Sequence, residues 1–429
     1  MSVPSRSHLV VISVLVVFLA GSAFADSQAR IVRLSDVQGT VQIDKNTGLG
    51  FESAFLNLPI TQGTQLKVGD RGRAEIEFED GSTLRLAPNS MVQFSTLGVN
   101  DAGKHLSTVD LVEGMAYVNW LGKSGDQISL NFSREKISLQ QPAHFRVATS
   151  ADQSKLAVFK GDVNVDAASG KVTVAKKKTA TFSGDENQQF TVANKVEEEP
   201  LDTWDRESIS YHDQYAKNNS SPYGYGSSDL GYYGNYTNVP GYGMMWQPYF
   251  TGVGWDPFMD GAWSFYPGYG YMFVSAYPWG WMPYRYGNWM FLPGFGWMWQ
   301  PGTFNTWVAV PRYTAPSTVR VTALAPPTAG TIKTVTVGKG GYIAPNTPSR
   351  LVVNSGTAGL GIPRGSISNL HHLNSQVARN GSAEVHAAPQ FATSSPRPAG
   401  YPAPHSTMAT PSMGHSAPVA HTSAPAARH

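Results

Sequence analysis

Between Tyr232 and Val310 the chain repeats itself three times, and this repeat restricts the fold more than any other feature. Three segments align, Gly234 to Pro248, Gly261 to Phe273 and Gly287 to Pro301, each carrying Pro-Gly-aromatic-Gly at the same place. Successive copies begin 27 and 26 residues apart, and the connection Gly254-Trp255-Asp256-Pro257 lies over Gly280-Trp281-Met282-Pro283. At each turn Pro presets φ and the glycines supply positive φ, so a short aromatic run must fold back on itself. No window is long enough without Pro or Gly to form a helix. The spacing predicts a meander of short antiparallel strands over residues 223–313, each repeat being one supersecondary unit.

Nine of the chain's eleven tryptophans lie in this stretch. Two readings of the rings stand side by side. A small β module without cysteine must bury something, and each Trp or Tyr buries roughly 150–250 Å². The same rings, turned outward, form a flat stacking platform for a sugar ring, a glycan strand or a partner protein. Trp255, Trp281 and Trp297 are the candidate ligand-binding residues on that second reading.

The rest of the chain divides by composition. From 29 to 196 apolar and polar residues alternate, as in Ala74, Ile76 and Phe78, Leu84 and Leu86, or Val92 and Phe94. Turn signals separate the runs at Val68-Gly69-Asp70, Glu79-Asp80-Gly81-Ser82 and Ala87-Pro88-Asn89-Ser90, which is the pattern of an all-β domain. A glycine precedes an alternating run at Gly39, Gly114 and Gly161, suggesting stacked equivalent strands. Residues 197–222 read as a linker helix: acids and Pro200 occupy its start, and Leu201, Trp204, Tyr211 and Tyr215 fall near one face. Residues 314–386 are rich in Pro, Gly and Thr and weakly structured, with an alternating piece at Thr331 to Val337 and a short helix from Ser366 closed by Asn380-Gly381. The Pro/Ala/His tail at 387–429 is expected to be disordered, since little in it offsets the entropy of ordering.

Residues 1–25 read as a secretory signal peptide, with Arg6, an apolar run from Leu9 to Ala20 and cleavage after Ala25. The run is short for a membrane span, although an uncleaved anchor is the alternative. No later stretch can cross a bilayer as a helix. The expected location is periplasmic or secreted, and the absence of cysteine leaves no disulfide to support an exported fold. A formal charge of +2 with few charged residues argues against a nucleic-acid partner.

Several segments of the first half resemble the FecR domain, the periplasmic part of the ferric-citrate regulator family. They are Asp36 to Val41, Gly63, Val68 to Asp70, Arg73 to Ser90, the most specific, and Phe159 to Val163. The resemblance spans roughly Arg30 to Val192 and implies a β-rich, roll- or solenoid-like fold. In the sensor members it also implies relay of a transport signal across the inner membrane to a sigma factor. Those members carry a cytoplasmic anti-sigma region and a membrane helix ahead of the domain, where this chain shows a signal peptide, so the regulatory circuit is not expected to be kept. The aromatic repeats resemble the Tyr/Gly/Trp-rich region that follows a FecR domain in a group of exported bacterial proteins of unknown function.

Catalytic motifs are missing from the sequence: paired zinc-spaced histidines, Gly-x-Ser-x-Gly and the P-loop. Asp70, Asp80 and Asp162 stand beside glycines in turns. Asp256 and Asp260, four apart near stacking rings, are the one pair that invites a glycosidase reading. His144 sits in an alternating strand, where a tolerated β residue is the expected role, and His371, His372, His386, His405, His415, His421 and His429 could bind a metal loosely, although incidental placement is the expected reading. The sequence thus predicts a non-enzymatic envelope protein without cofactor or metal. Its leading role is binding or scaffolding, with a polysaccharide, peptidoglycan or an envelope protein as partner. Signal relay by the FecR-like domain to a transporter or sensor is the alternative, and a purely structural role the third.

Overall fold

Alternation in the first half resolves into strands with one face inward. The computed structural model describes residues 30–387, except 123–124, 185–188, 219–222, 303–305, 323, 329–331 and 344–349. Residues 1–25, expected to be a signal peptide, and the tail from residue 388 lie outside the described residues. The strands labelled below are those that position the site: β1 (Val32–Gln38), β2 (Arg73–Glu77), β3 (Thr83–Leu86), β4 (His105–Trp120), β5 (Ala143–Thr149) and β6 (Gln153–Lys160).

Seventeen strands between residues 32 and 193 are linked by hydrogen bonds in two layers. The layers share one strand, β4. Its first half pairs in parallel with Gln127–Phe132 in one layer, and its second half pairs with β3 and β5 in the other. The crossing point is Gly114, at φ +90°, where a Cβ would stand 2.4 Å from the Ser90 hydroxyl, so only glycine fits. Ile76, Leu84, Val118, Val147, Leu130 and Val165 fill the space between the layers. The all-β reading therefore holds.

The linker helix is present as α1 (Asp202–Tyr215), followed by α2 (Ser227–Tyr233). The three repeats form three hairpins: β7 (Gly234–Val239) with β8 (Gly243–Pro248), β9 (Gly261–Tyr266) with β10 (Gly270–Ser275), and β11 (Asn288–Leu292) with β12 (Gly296–Gln300). The turn glycines adopt positive φ, between 75° and 81°, as the Pro-Gly-aromatic-Gly pattern demands. They do not form one meander. The first and third hairpins join through Trp246 opposite Trp299, while the second pairs with β13 (Val335–Val337). The connections carry the reason: Tyr249 to Asp260, and Ala276 to Gly287 with its single-turn helix α3 (Met282–Arg285), are long enough to take the second hairpin away from its neighbours.

The first and third hairpins brace each other symmetrically. The Gln247 amide donates to the Phe295 carbonyl at 2.7 Å in the opposite turn, and the equivalent Gln300 donates to the Tyr242 carbonyl at 3.1 Å. After the repeats, β14 (Leu351–Asn354), α4 (Leu370–Asn380) and β15 (Ser382–Val385) pack on the aromatic half through Leu370, Leu373 and Val377. Gly381 caps α4 in the left-handed conformation.

Candidate functional site

The outward face of the β1-β2-β3-β4-β5 sheet is charged, and register arranges it in two rows. Cross-strand pairing places Arg33, Glu77, Thr83, Asn119 and His144 in one row, and Asp36, Glu75, Arg85, Tyr117 and Arg146 in the next. A bulge between Leu34 and Asp36 resets the alternation of β1, so that Ser35 and Asp36 both stand against Glu75. Bulges commonly re-aim a side chain in this way. Arg33 opposite Glu77 and Glu75 opposite Arg85 are directly opposed unlike charges, which stabilises such pairs, whereas Asp36 opposite Glu75 is a like-charge pair.

Helices α1 and α2 and the segment around Arg364 cover these rows with matching charges. Asp205 accepts from Arg85 at 2.9 Å and pairs with His144 at 2.6 Å, while Asp202 binds Arg146 and the Tyr117 hydroxyl. His212 reaches Glu75 at 3.0 Å, and Asp229 of α2 meets Arg33 at 2.6 Å. Arg364 donates to both oxygens of Asp229, at 2.9 and 2.8 Å, and to Glu75 at 2.7 Å. Burial alone would raise the Glu75 and Asp229 carboxyls. His212, Arg85 and Arg364 outweigh it at Glu75, which lies well below the usual range, and Arg364 and Arg33 outweigh it at Asp229, also lowered. At Glu77 burial wins and the pKa rises. Charges buried so fully persist only when paired and hydrogen-bonded. Further direct bonds tie the halves: Arg33 to the Pro278 carbonyl, Asn57 to the Ser275 and Tyr277 carbonyls, and Lys45 to Ser264.

Beside this layer a cleft of about 270 Å³ opens between β1, α1 and Arg364, lined by Asp36, Glu75, Glu207, Ser208, Ser210, Tyr211, Gln214, Tyr215, Arg364 and Gly365. Asp36 is 7% exposed, and burial raises its pKa to about 6 despite Arg364 and Arg73. The Gln38 amide donates to it at 2.9 Å.

The sequence-predicted residues fall elsewhere. Trp281 is fully buried, Trp297 is 2% and Trp255 6% exposed. The outward platform expected of these three is therefore corrected: the rings interlock at the centre of the aromatic half, where Trp255 lies edge-on to Trp279 and Trp289 and its Nε1 donates to the Tyr277 hydroxyl. Large apolar surface in a module with few aliphatics is worth most inside. Of the nine tryptophans in the repeats, eight are buried and Trp307 is half-buried. Outward-facing apolar groups of this half include Tyr242, Met244 and Phe295, 42, 53 and 47% exposed, at or beside the turns of the first and third hairpins, and Val253 and Tyr313 outside the hairpins. The Pro-Gly-aromatic-Gly spacing marked these tips, since a residue between two left-handed glycines has no sheet to cover it. Asp256 accepts from the backbone of Phe258 and from Thr322, and Asp260 accepts from the backbone of Lys339 and the Tyr277 hydroxyl. Both pin loops. Asp80 makes the expected Asx turn with Ser82. Among the described residues no group of three or more His, Asp or Glu is arranged to hold a metal.

Comparisons with known proteins match two separate stretches of the chain. The model described as FecR protein matches residues 64–164, and a family of unknown function, DUF6600, matches residues 227–327. The chain is a FecR-domain-containing protein with a C-terminal region of that uncharacterised type. Two crystal structures described as a "putative anti-sigma factor" from Parabacteroides distasonis, at 2.50 and 1.65 Å resolution, are similar over 35% of this chain and 71% and 72% of theirs. Their identity is 16% and their TM-scores are 0.29 and 0.28, too low to bear on function here. No curated protein matches. No helix among the described residues is long and apolar enough to cross a membrane.

Proposed function

We propose that this is a non-enzymatic protein of the bacterial envelope, periplasmic or secreted, acting as a binding and scaffold module. The FecR-like half and the aromatic half form one rack, and the hairpin turns are its contact points for a polysaccharide, peptidoglycan or an envelope protein. One observation carries the reading: the repeat buries nearly all its tryptophans yet leaves Tyr242, Met244 and Phe295 outside, on two hairpins that brace each other through Gln247 and Gln300. Exposed aromatic and Met side chains on rigid supports suit binding. Retention of the mature protein on isolated peptidoglycan sacculi and insoluble polysaccharides tests it, comparing the parent with Y242A/F295A. Loss of retention in the double variant at unchanged melting temperature supports the reading; a parent that is not retained on any of them, or a variant retained equally, removes it.

A second reading is signal relay to a transporter or sensor, favoured by the FecR match at residues 64–164. It requires contact with a membrane partner. Site-specific crosslinking from the exposed Val112 of the FecR-like half to an inner- or outer-membrane protein distinguishes it from the rack reading.

A further inference from the structure

We propose that the cleft between β1 and α1 binds a small organic ammonium ligand, with its cationic nitrogen at Asp36 and its body along Tyr211 and Tyr215. This goes beyond the rack reading and uses none of the hairpin turns.

Most of the charged groups around the cleft are already spent. All three donor nitrogens of Arg364 engage Asp229 or Glu75. Glu75 receives Ser35, His212 and Arg364 on one oxygen and Arg85 on the other, so its charge is already answered within the ion-pair layer. Asp36 differs. It is more than nine-tenths buried, it lines the cleft, and among the described residues its carboxylate takes a single hydrogen bond, from Gln38 to one oxygen. The bulge in β1 is what turns it toward this space rather than into the core.

Charge then selects the ligand. The carboxylates of Asp36 and exposed Glu207 face the cleft, and the cation electrostatically shared between them is Arg73, whose guanidinium lies 5.5 Å over the Trp204 ring. With Glu75 and Arg364 also lining the cleft, three acids against Arg364 and the nearby Arg73 leave one negative charge for a ligand to answer. The remaining groups are the Ser210 hydroxyl, the Gln214 amide and the ring of Tyr215, 5.1 Å from that of Tyr211, which already holds the Arg364 guanidinium 5.3 Å away. Carboxylates beside aromatic faces attract ammonium by ion pairing and cation–π contact, and a volume of about 270 Å³ admits a single sugar-sized or short-chain molecule.

Titration calorimetry of the mature protein with glucosamine, putrescine and glucose at pH 7.5 tests the assignment. Glucosamine and putrescine separate a ring-shaped from a linear ligand; tighter binding of either over glucose by at least about tenfold is expected. D36N should lower that affinity at least about tenfold while keeping the fold, and E207Q, at an exposed position, should lower it less. The groups facing Asp36 are Arg364, Glu75, Arg73 and Tyr342. With its pKa at about 6, binding should weaken between pH 7.5 and 5. Cationic probes that bind no better than glucose, or a folded D36N protein that binds them undiminished, overturn the proposal.

Discussion

Replacing Arg364 with alanine is the sharpest probe of how the two halves are joined. The side chain is 11% exposed, stacks 5.3 Å from the Tyr211 ring, and donates three hydrogen bonds to two carboxylates that are at most 2% exposed. Removing one partner of a buried pair typically costs about 3–5 kcal/mol, because the remaining charge stays buried. Here both acids keep a second cation, Arg33 at Asp229 and Arg85 at Glu75, which argues for the lower end, about 3 kcal/mol. Urea unfolding followed by tryptophan fluorescence measures it. A double-mutant cycle with D229N should show a coupling of about 1–3 kcal/mol between the two positions. A cost for R364A below about 1 kcal/mol, the range of exposed ion pairs, would refute the reasoning.

Asp36 titrates in the opposite sense from Glu75 and Asp229. Its folded pKa of about 6 exceeds the ordinary 3.8, so its ionised form costs stability above pH 6, and that cost fades as pH falls toward 4. D36N should be more stable than the parent at pH 7.5 by up to roughly 3 kcal/mol, with the gap closing between pH 6 and 4; a gap independent of pH contradicts this. Glu75 and Asp229 are lowered, so their contribution is present above the ordinary carboxylate range and is lost as pH falls below about 4, which acid unfolding of E75Q against the parent should show as a shallower decline. W281A should destabilise by about 3–5 kcal/mol and Y242A by less than about 0.5 in urea melts, since the first ring is enclosed and the second projects from a turn. G114A should cost at least about 2 kcal/mol by the same assay, because its Cβ meets Ser90 in a left-handed backbone.

Much of the architecture was legible because it is local. Alternation gave the strands, Pro-Gly-aromatic-Gly gave the three hairpins, and Asn380-Gly381 gave the end of α4. Which hairpins pair was not legible: the choice between a meander and the observed pairing of the first with the third depends on contacts such as Gln247 to Phe295, which no local spacing encodes. The tryptophans were read in two ways because composition does not say which side of a sheet is covered. The charged rows were written in the alternation Arg73-Ala-Glu75-Ile-Glu77, yet that pattern also describes a face open to water. The acids of α1 that cover it, Asp202 and Asp205, lie more than a hundred residues on, and their sequence context is that of any helix start. The bulge that turns Asp36 outward leaves no mark in composition at all.

The central claim is that the FecR-like half and the aromatic half are one body, joined by a buried layer of ion pairs. Nine of eleven tryptophans report on the aromatic half, while the strands of residues 32–193 dominate the far-ultraviolet dichroism. Urea unfolding of the protein followed by both signals tests the claim most directly. Coincident single transitions, both displaced to lower urea in R364A, are the predicted result. Two separate transitions, with the tryptophan signal moving independently of the β signal and indifferent to Arg364, would contradict it.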